Sequence, residues 1–228
     1  MSRPETLAGV PMFRSLDHAT VNELDKSCTW RRVSAGEWLI GYQDDDNEVF
    51  FVVAGSVRVL IYDKLGSEVI LADLKVGEVF GELAPLDSSP RTATVLAISD
   101  AVVAVMPGRV FLKILHDHPG AAMFLLKLLA ARIRDLDNRV FEFSTLSVQE
   151  RIDRELLRLA RPDPNNARRA IISPPPTHAE IAARVSTHRE AVTREMKTLE
   201  QEQCLQRTPG AITLLDIPRL TQRRAKGD

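Results

Sequence analysis

The chain contains 228 residues, with 30 Lys and Arg against 31 Asp and Glu, and 44% of its residues are hydrophobic. That length is enough for two small domains, each with its own core. Cys28 and Cys204 are far apart in the sequence, which argues against a disulfide framework or a metal-thiolate cluster. The apolar runs are shorter than the roughly 18 residues that a membrane span needs, and the N-terminus lacks a signal-peptide core. We therefore expect a cytoplasmic protein with no membrane partner.

Charge is distributed unevenly along the chain. Residues 1–146 hold 15 Lys and Arg against 20 Asp and Glu, whereas residues 147–228 hold 15 against 11. Because the net charge of the whole chain is only -1, the basic excess of the C-terminal part indicates an anionic partner there.

Short β-rich runs occupy residues 30–106 and alternate with turns that contain glycine. Evenly spaced short strands predict a barrel or a roll. The acidic run Asp44–Asp46 lacks the further ligand spacing of a cation site, so we interpret it as a solvated loop. The predicted strands are Val49–Val53, Val57–Tyr62, Val69–Leu71, Ala93–Ile98 and Ala101–Val105.

The segment that begins at Gly81 has the backbone chemistry of a phosphate site. Gly81 has no side chain, so the backbone can approach a ligand closely, and the following amides can point at phosphate oxygens. Pro85 donates no backbone hydrogen bond. This role therefore falls to the amides of Leu83 and Ala84.

Three polar side chains complete this segment, which we call the cassette (residues 80–94). Arg91 supplies a cation whose planar fork can hold two phosphate oxygens. Ionised Glu82 only accepts hydrogen bonds, which suits a ribose hydroxyl. Thr92 adds a hydroxyl group next to Arg91. A glycine and a glutamate alone would also fit an ordinary β-turn, but the whole string F-G-E-L-A…P-R-T-A-T is far more specific.

The pattern becomes helical after Pro107–Gly108. Apolar residues then recur with 4-3 spacing over three heptads, which is the pattern of a coiled-coil seam. We favour a homodimer over an amphipathic helix that packs on its own domain, because the latter normally has a wider apolar stripe. The seam consists of Ala122, Leu126, Leu129, Ile133, Leu136, Val140 and Phe143.

The C-terminal part predicts a helix-turn-helix followed by a wing. An amphipathic helix spans residues 147–159, and Thr177 with Glu180 forms a capping box for the next helix, residues 179–184. Ser186 or Thr187 can cap a second helix that runs to residue 201. Two short helices joined by a tight turn make a helix-turn-helix, and residues 204–215 predict two strands about a Pro-Gly turn.

The second of these helices presents polar side chains near its N-terminus. An arginine there can grip guanine O6 and N7, and Glu190 can accept a hydrogen bond from cytosine N4. A salt-bridged surface helix is the alternative interpretation. The candidate DNA contacts on this helix are Arg189, Glu190, Thr193, Arg194 and Lys197.

The order of cassette, seam helix and helix-turn-helix resembles the cyclic AMP receptor protein (catabolite activator) family across nearly the whole chain. The resemblance implies an α+β fold with a jelly-roll-like β-roll and flanking helices in residues 1–110. A dimerisation helix in residues 111–146 and a winged helix-turn-helix in residues 147–228 follow. It also implies that Glu82 holds a ribose 2′-hydroxyl and that Arg91 holds a cyclic phosphate, with Thr92 beside it.

The same resemblance implies a palindromic DNA partner. Residues at the places of Arg189, Glu190 and Arg194 read a G-T-G-A core in that family, and those at the places of His178 and His188 touch phosphates. The exposed loop of residues 161–170 is a candidate contact for RNA polymerase. Because no nucleophile–base pair or metal triad stands out, we predict no enzymatic activity and no metal.

The resemblance also bears on the nucleotide base. Leu136 and Asp137 stand where the family has base-binding hydroxyl residues, and Arg132 can pair with Glu82. Asp137 suits either the adenine amino group or the N1 and N2 edge of guanine. We predict cyclic AMP as the ligand, with cyclic GMP as the alternative. A different small effector, or a nucleotide-binding module without DNA binding, remains open.

Overall fold

The computed structural model describes residues 6–64 and 66–223 of the chain. Contacts divide the chain into two compact units, the first ending at Ile133 and the second beginning at Arg134. The first unit contains the β-roll and the second contains the winged helix-turn-helix. The proposed segment boundaries at residues 110 and 146 remain predictions.

The strands of the first unit are β1 (Thr29–Val33), β2 (Trp38–Ile40), β3 (Val49–Ala54), β4 (Ser56–Tyr62), β5 (Glu68–Lys75), β6 (Val79–Phe80), β7 (Thr94–Ala97) and β8 (Ala101–Met106). Within the described residues they form two antiparallel sheets, in the orders β1-β8-β3-β6 and β2-β7-β4-β5. This confirms the predicted roll. Strands β1, β2 and β6 were missed, and the last two contain only 3 and 2 residues.

Strand β3 is buried on both faces and separates two parts of the core. Phe50 and Val52 pack in a cluster with residues from both sheets, whereas Val49 and Phe51 pack in a second cluster with helical residues that include Phe111. Successive side chains of a strand point to opposite faces. A strand covered on both faces therefore needs the continuous apolar run seen at Val49–Val53.

The helices of the first unit are α1 (His18–Ser27), α2 (Leu83–Asp87), α3 (Gly108–Asp117) and the beginning of α4 (Pro119–Thr145). The sequence predicted one helical segment after Gly108, but the helix is interrupted at His118, whose backbone is extended. The next residue, Pro119, has no amide hydrogen to donate, so it begins a new helix where no intrahelical donor is required.

Helix α4 buries its first turns and exposes most of the predicted seam. Ala121 and Leu125 are buried in the core of the first unit. Further along, five seam residues have side chains that are 41% to 64% exposed: Leu126, Ile133, Leu136, Val140 and Phe143. These exposed apolar side chains follow the 4-3 spacing that the sequence predicted.

The second unit comprises the end of α4, α5 (Val148–Leu159), β9 (Arg161–Asp163), β10 (Asn166–Ile172), α6 (His178–Val185), α7 (Arg189–Gln201), β11 (Leu205–Thr208), β12 (Ala211–Leu214) and α8 (Ile217–Gln222). Its antiparallel sheet has the order β11-β12-β10-β9. Ile152, Ile181, Val192 and Met196 lie in its core. The winged helix-turn-helix and the Thr177–Glu180 capping box are confirmed.

Two local predictions in this unit were wrong. His188, not Ser186 or Thr187, is the N-cap of α7. Ser186 instead ends α6 in a left-handed conformation with φ 50°, so it belongs to the first helix. In addition, residues 161–170 are an exposed β-hairpin rather than a loop, because β9 and β10 pair with each other.

Candidate nucleotide and DNA sites

Gly81 is placed where only glycine fits. It follows β6 directly and has a φ of +76°, a conformation that side chains disfavour. A Cβ atom at Gly81 would lie 2.7 Å from Nη1 of Arg91 and 3.0 Å from the carbonyl oxygen of Glu48. The missing side chain of Gly81 thus leaves room for the Arg91 guanidinium, and the predicted close approach of this backbone to a ligand remains a prediction.

Arg91 is a buried cation with protein acceptors on one side. Its side chain is 3% exposed, Nη1 donates to the carbonyl oxygen of Gly81 at 2.7 Å, and Nη2 donates to that of Glu48 at 2.7 Å. Nη2 also pairs with the Asp46 carboxylate. Among the described residues, none accepts a hydrogen bond from the buried Nε. A buried guanidinium with a donor that lacks an acceptor fits a phosphate oxygen.

Burial also acts on the charge of Arg91. It lowers the pKa of the Arg91 guanidinium, and the negative charge of Asp44 opposes that change. The ring of Phe50 lies 5.8 Å from the guanidinium carbon. Such a partly dehydrated cation interacts strongly with an anion that reaches it.

Glu82 and Arg132 form the second part of the site. Glu82 is 2% exposed, and its Oε1 accepts a hydrogen bond from Nη1 of Arg132 at 2.6 Å. Nη2 of Arg132 donates to the carbonyl oxygen of Val79 at 2.7 Å. The predicted pairing of Arg132 with Glu82 is confirmed, and it ties the cassette to α4. The remaining acceptor capacity of Glu82 suits a ribose hydroxyl.

Leu83 and Ala84 form the first turn of α2, whose amides have no intrahelical acceptor. Thr92 follows Arg91 with an exposed side chain. The structure thus brings Gly81, Glu82, Arg91 and Arg132 together with these first-turn amides. This set of donors and acceptors fits the phosphate and ribose of a cyclic nucleotide.

The residues predicted to contact the base are Leu136 and Asp137. They lie in the second unit with exposed side chains, and their roles remain predictions.

Helix α7 separates its polar and apolar faces as predicted. Val192, Met196 and Leu199 are buried. The candidate DNA contacts of this helix and its cap are all exposed: His188, Arg189, Glu190, Thr193, Arg194 and Lys197. Their spacing places these side chains on one side of α7.

His178 connects α6, α7 and the wing through hydrogen bonds. Thr193 Oγ1 donates to the carbonyl oxygen of Arg189 at 2.9 Å, so it accepts from His178 Nδ1 at 2.8 Å. His178 Nε2 then accepts from Nη1 of Arg207 at 3.4 Å, and Arg207 pairs with Glu200. Burial, then the positive charges of Arg207 and Arg189, lower the pKa of His178. Sequence reasoning missed Arg207, whose partners are 7 and 29 residues away.

In residues 6–64 and 66–223, no helix is both long and apolar enough to cross a membrane. The same described residues contain no group of three or more His, Cys, Asp or Glu placed to hold a metal ion.

Known families define the class of this protein. Residues 30–118 match the cyclic nucleotide-binding domain, and residues 150–223 match the Crp-like helix-turn-helix domain. The β-roll with its cassette and the helix-turn-helix with its exposed α7 face fall within these two matches. The chain is therefore a DNA-binding transcription regulator with a cyclic nucleotide-binding domain.

Relatives that span the whole chain identify the family. The cyclic AMP receptor protein of Thermus thermophilus is 30% identical over 217 residues, which cover 95% of this chain and 97% of that protein. The cAMP-activated global transcriptional regulator CRP of Haemophilus influenzae is 30% identical over 77% of this chain and 79% of its own length. This chain belongs to the cyclic AMP receptor protein family of transcription regulators.

A solved structure agrees with the fold. A CooA mutant from Carboxydothermus hydrogenoformans superposes with a TM-score of 0.79 at 20% identity, covering 94% of each chain.

Proposed function

We propose that this protein is a homodimeric transcription regulator whose DNA binding is controlled by a cyclic nucleotide. The observation that carries the proposal is the buried Arg91 guanidinium, whose Nη1 lies against Gly81 and whose Nε has no acceptor among the described residues, in a chain that also exposes the polar face of α7. The first feature is suited to bind an anion inside the roll and the second to contact DNA. Cytoplasmic location follows from this function.

The proposed ligand is cyclic AMP, with cyclic GMP as the alternative. Arg91 and the amides of Leu83 and Ala84 would hold the cyclic phosphate, and Glu82 would accept from the ribose 2′-hydroxyl. The base is assigned to Leu136 and Asp137, with Thr92 able to contact either purine. The Thermus and Haemophilus relatives are both named for cyclic AMP, which supports adenine.

The proposed dimer forms along the seam of α4. Isolated exposed apolar residues are common, but a regular row of them at 4-3 spacing matches a coiled-coil interface. Leu126, Ile133, Leu136, Val140 and Phe143 form such a row, with side chains at least 41% exposed. A second copy of the chain would cover this row by the same residues, since a two-fold interface is self-complementary.

The proposed DNA site is an inverted repeat of T-G-T-G-A. Arg189, Glu190 and Arg194 would contact base edges in the major groove, as the exposed N-terminal end of α7 allows. A dimer would place the two copies of α7 on half-sites about 34 Å apart, one turn of DNA. His188, Thr193 and Lys197 would contact phosphates or flanking groups, whereas His178, whose ring nitrogens are hydrogen-bonded to Thr193 and Arg207, would position this surface.

Helix α4 would transmit the effect of the ligand. Arg132 of α4 pairs with Glu82 in the cassette, and Glu142 of α4 accepts two hydrogen bonds from Arg158 of α5, at 2.9 and 3.0 Å. Both carboxylates are buried. A ligand that donates a hydrogen bond to Glu82 would therefore affect the pairing of Glu82 with Arg132. Through Arg132 it would act on α4, the helix that carries the seam. The exposed hairpin of residues 161–170 remains a candidate contact for RNA polymerase.

The test combines calorimetry with selection of DNA. Cyclic AMP and cyclic GMP are titrated separately into the intact protein and into Arg91→Ala, which should bind at least about tenfold more weakly. Selection from random DNA with nucleotide present should return the palindrome. Unchanged titration of Arg91→Ala would refute the cassette assignment. Nucleotide binding without salt-dependent DNA binding would instead support a regulatory module of another kind, and DNA binding that ignores both nucleotides would indicate a different effector.

A further inference from the structure

On one edge of the Arg91 guanidinium, one donor is buried without an acceptor among the described residues and the other is paired with an acidic residue. Nε and Nη2 form the side of the guanidinium that grips two oxygens of an anion at once. In the described residues, Nε has no acceptor, whereas Nη2 is paired with the Asp46 carboxylate. An anion that takes both donors must therefore compete with Asp46 for Nη2.

We propose that Asp46 is a displaceable internal competitor that occupies part of the phosphate position on Arg91 and thereby lowers nucleotide affinity. This inference rests on the function proposed above for Arg91. The carboxylate stands in for one phosphate oxygen: it is an anionic acceptor on the same donor atom. It also compensates a cation that is only 3% exposed, since a buried guanidinium without a counter-charge is costly.

The loop geometry allows the Asp46 side chain to move while its surroundings stay in place. The amide of Gln43 donates to the carbonyl oxygen of Arg91, and the amide of Arg91 donates to that of Asp44, both at 2.9 Å. The Asp44 carboxylate accepts from the amide of Gly41 at 2.8 Å. These bonds hold the beginning of the loop against Arg91. The Asp46 side chain is 42% exposed, so it has a path into water.

Displacement follows from simple electrostatics. Two anions on the same guanidinium edge repel each other, and the interaction is strong because the site is largely dehydrated. The phosphate also supplies an acceptor for the buried Nε, which has none among the described residues. Asp46 regains hydration when it leaves. The phosphate can therefore win this competition, at a reduced net affinity.

The experiment measures nucleotide affinity by calorimetry in full-length variants. Asp46→Ala removes the competitor and should bind cyclic AMP or cyclic GMP about tenfold more tightly, as expected for loss of one competing charge-assisted hydrogen bond. Asp46→Asn keeps the shape and removes the charge, so its gain should be smaller. Asp45→Ala is the matched control: it removes the same charge from the same loop, and among the described residues Asp45 has no ion pair with Arg91. Its affinity should stay within about twofold, because exposed charges are screened.

Each other outcome has a distinct meaning. Weaker binding by Asp46→Ala would show that Asp46 positions Arg91, and an equal gain in Asp45→Ala would show a general effect of charge. Either result would refute the proposal that Asp46 competes with the phosphate for Arg91. Suppose that the parent protein binds nucleotide, that Arg91→Ala does not, and that Asp46→Ala has the affinity of the parent. The proposal about Asp46 is then refuted, whereas the proposed function is supported. If neither the parent nor Asp46→Ala binds either nucleotide, both proposals fail.

Discussion

Gly81 and Arg91 are separated by ten residues in the chain but are adjacent in the cassette. The carbonyl oxygen of Gly81 accepts from Arg91, and the missing side chain of Gly81 leaves room for the guanidinium. A side chain at Gly81 would displace the Arg91 guanidinium. At the residue scale, the site thus depends on the absence of a Cβ atom as much as on a charge.

Substitution of Gly81 tests this dependence. Gly81→Ala should abolish detectable nucleotide binding, because its Cβ would lie 2.7 Å from Nη1 of Arg91. Gly36→Ala is the matched control: Gly36 has a similar φ of +87° and no atom within 4 Å of an added Cβ. Both changes should cost about 1–2 kcal/mol of stability from the backbone conformation alone, measured by urea unfolding. Retained binding in Gly81→Ala would contradict the close packing.

Asp137 is the residue that tests base recognition. If its carboxylate meets the purine edge, Asp137→Ala should change the ratio of cyclic AMP to cyclic GMP affinity by about fivefold or more, because the two bases present different donors. Calorimetry with both nucleotides measures that ratio. Asp135→Ala, an exposed carboxylate two residues earlier on α4, should leave it unchanged. Equal losses for both nucleotides would place Asp137 on a solvated face.

At the scale of single elements, α7 has a buried stripe that packs in the core and an exposed face that would contact DNA. Buried Val192, Met196 and Leu199 hold the helix in the second unit. Thr193, on the exposed face, is hydrogen-bonded to His178, so α6 restrains the face that would meet DNA. A helix held in this way can present side chains with little loss of entropy on binding.

The exposed face of α7 predicts two kinds of DNA-binding variant. Arg189→Ala or Arg194→Ala should cost about 1–3 kcal/mol on the cognate palindrome and relax the preference for it, because a bidentate base contact is lost. His188→Ala should weaken binding to all sequences alike, since a phosphate contact carries no sequence information. Binding to cognate and scrambled duplexes, with nucleotide titration as a control, separates the two. An Arg189→Ala variant that keeps full preference would exclude Arg189 from base readout.

At the scale of the whole molecule, the seam predicts the oligomeric state. Val140→Glu should shift a dimer toward monomer in sedimentation at micromolar concentration, because two like charges would face each other across the interface. Phe141→Glu is the control, since Phe141 is 59% exposed but lies outside the 4-3 row, and Val140 is 64% exposed. If the two variants dissociate equally, or neither does, the interface is not the predicted seam.

The second unit also carries a cluster of charges with a consequence for stability. Arg223 pairs with Asp153 at 2.9 Å, with Glu202 at 3.0 Å and with Glu195. Three carboxylates thus share one guanidinium. Burial is the main cause that raises the pKa of Asp153 from 3.8 to about 7; the hydrogen bond from Arg223 opposes it, and repulsion by the other two carboxylates reinforces it.

This pKa predicts how stability depends on pH. Between pH 3.8 and about 7 the folded protein keeps a proton on Asp153 that the unfolded chain has lost, so Asp153 makes the free energy of unfolding fall as pH rises through that window. Asp153→Asn should therefore flatten the decline relative to the parent protein. Urea unfolding monitored by circular dichroism at several pH values measures how the free energy of unfolding depends on pH. An unchanged slope would mean that Asp153 is ionised throughout.

Much of the fold and part of the site could be predicted from the sequence, because they depend on neighbours in the chain. Apolar runs separated by turns predicted the roll, 4-3 spacing predicted the exposed row on α4, and the spacing of Thr177 and Glu180 predicted the start of α6. The cassette was recognisable because Gly81, Glu82 and Arg91 lie within eleven residues. In each case the physical signal is local.

Only the tertiary structure decided which distant groups meet. The sequence predicted that Asp46 belongs to a solvated acidic loop. The pairing of strands instead brings its carboxylate to Arg91, which is 45 residues away in the chain. Ser186 was a predicted cap of the second helix, but its left-handed backbone makes it the C-cap of α6. Arg223 reaches Asp153 across 70 residues. Long-range ion pairs and backbone conformations of this kind follow from how whole elements pack, and no short stretch of sequence contains that information.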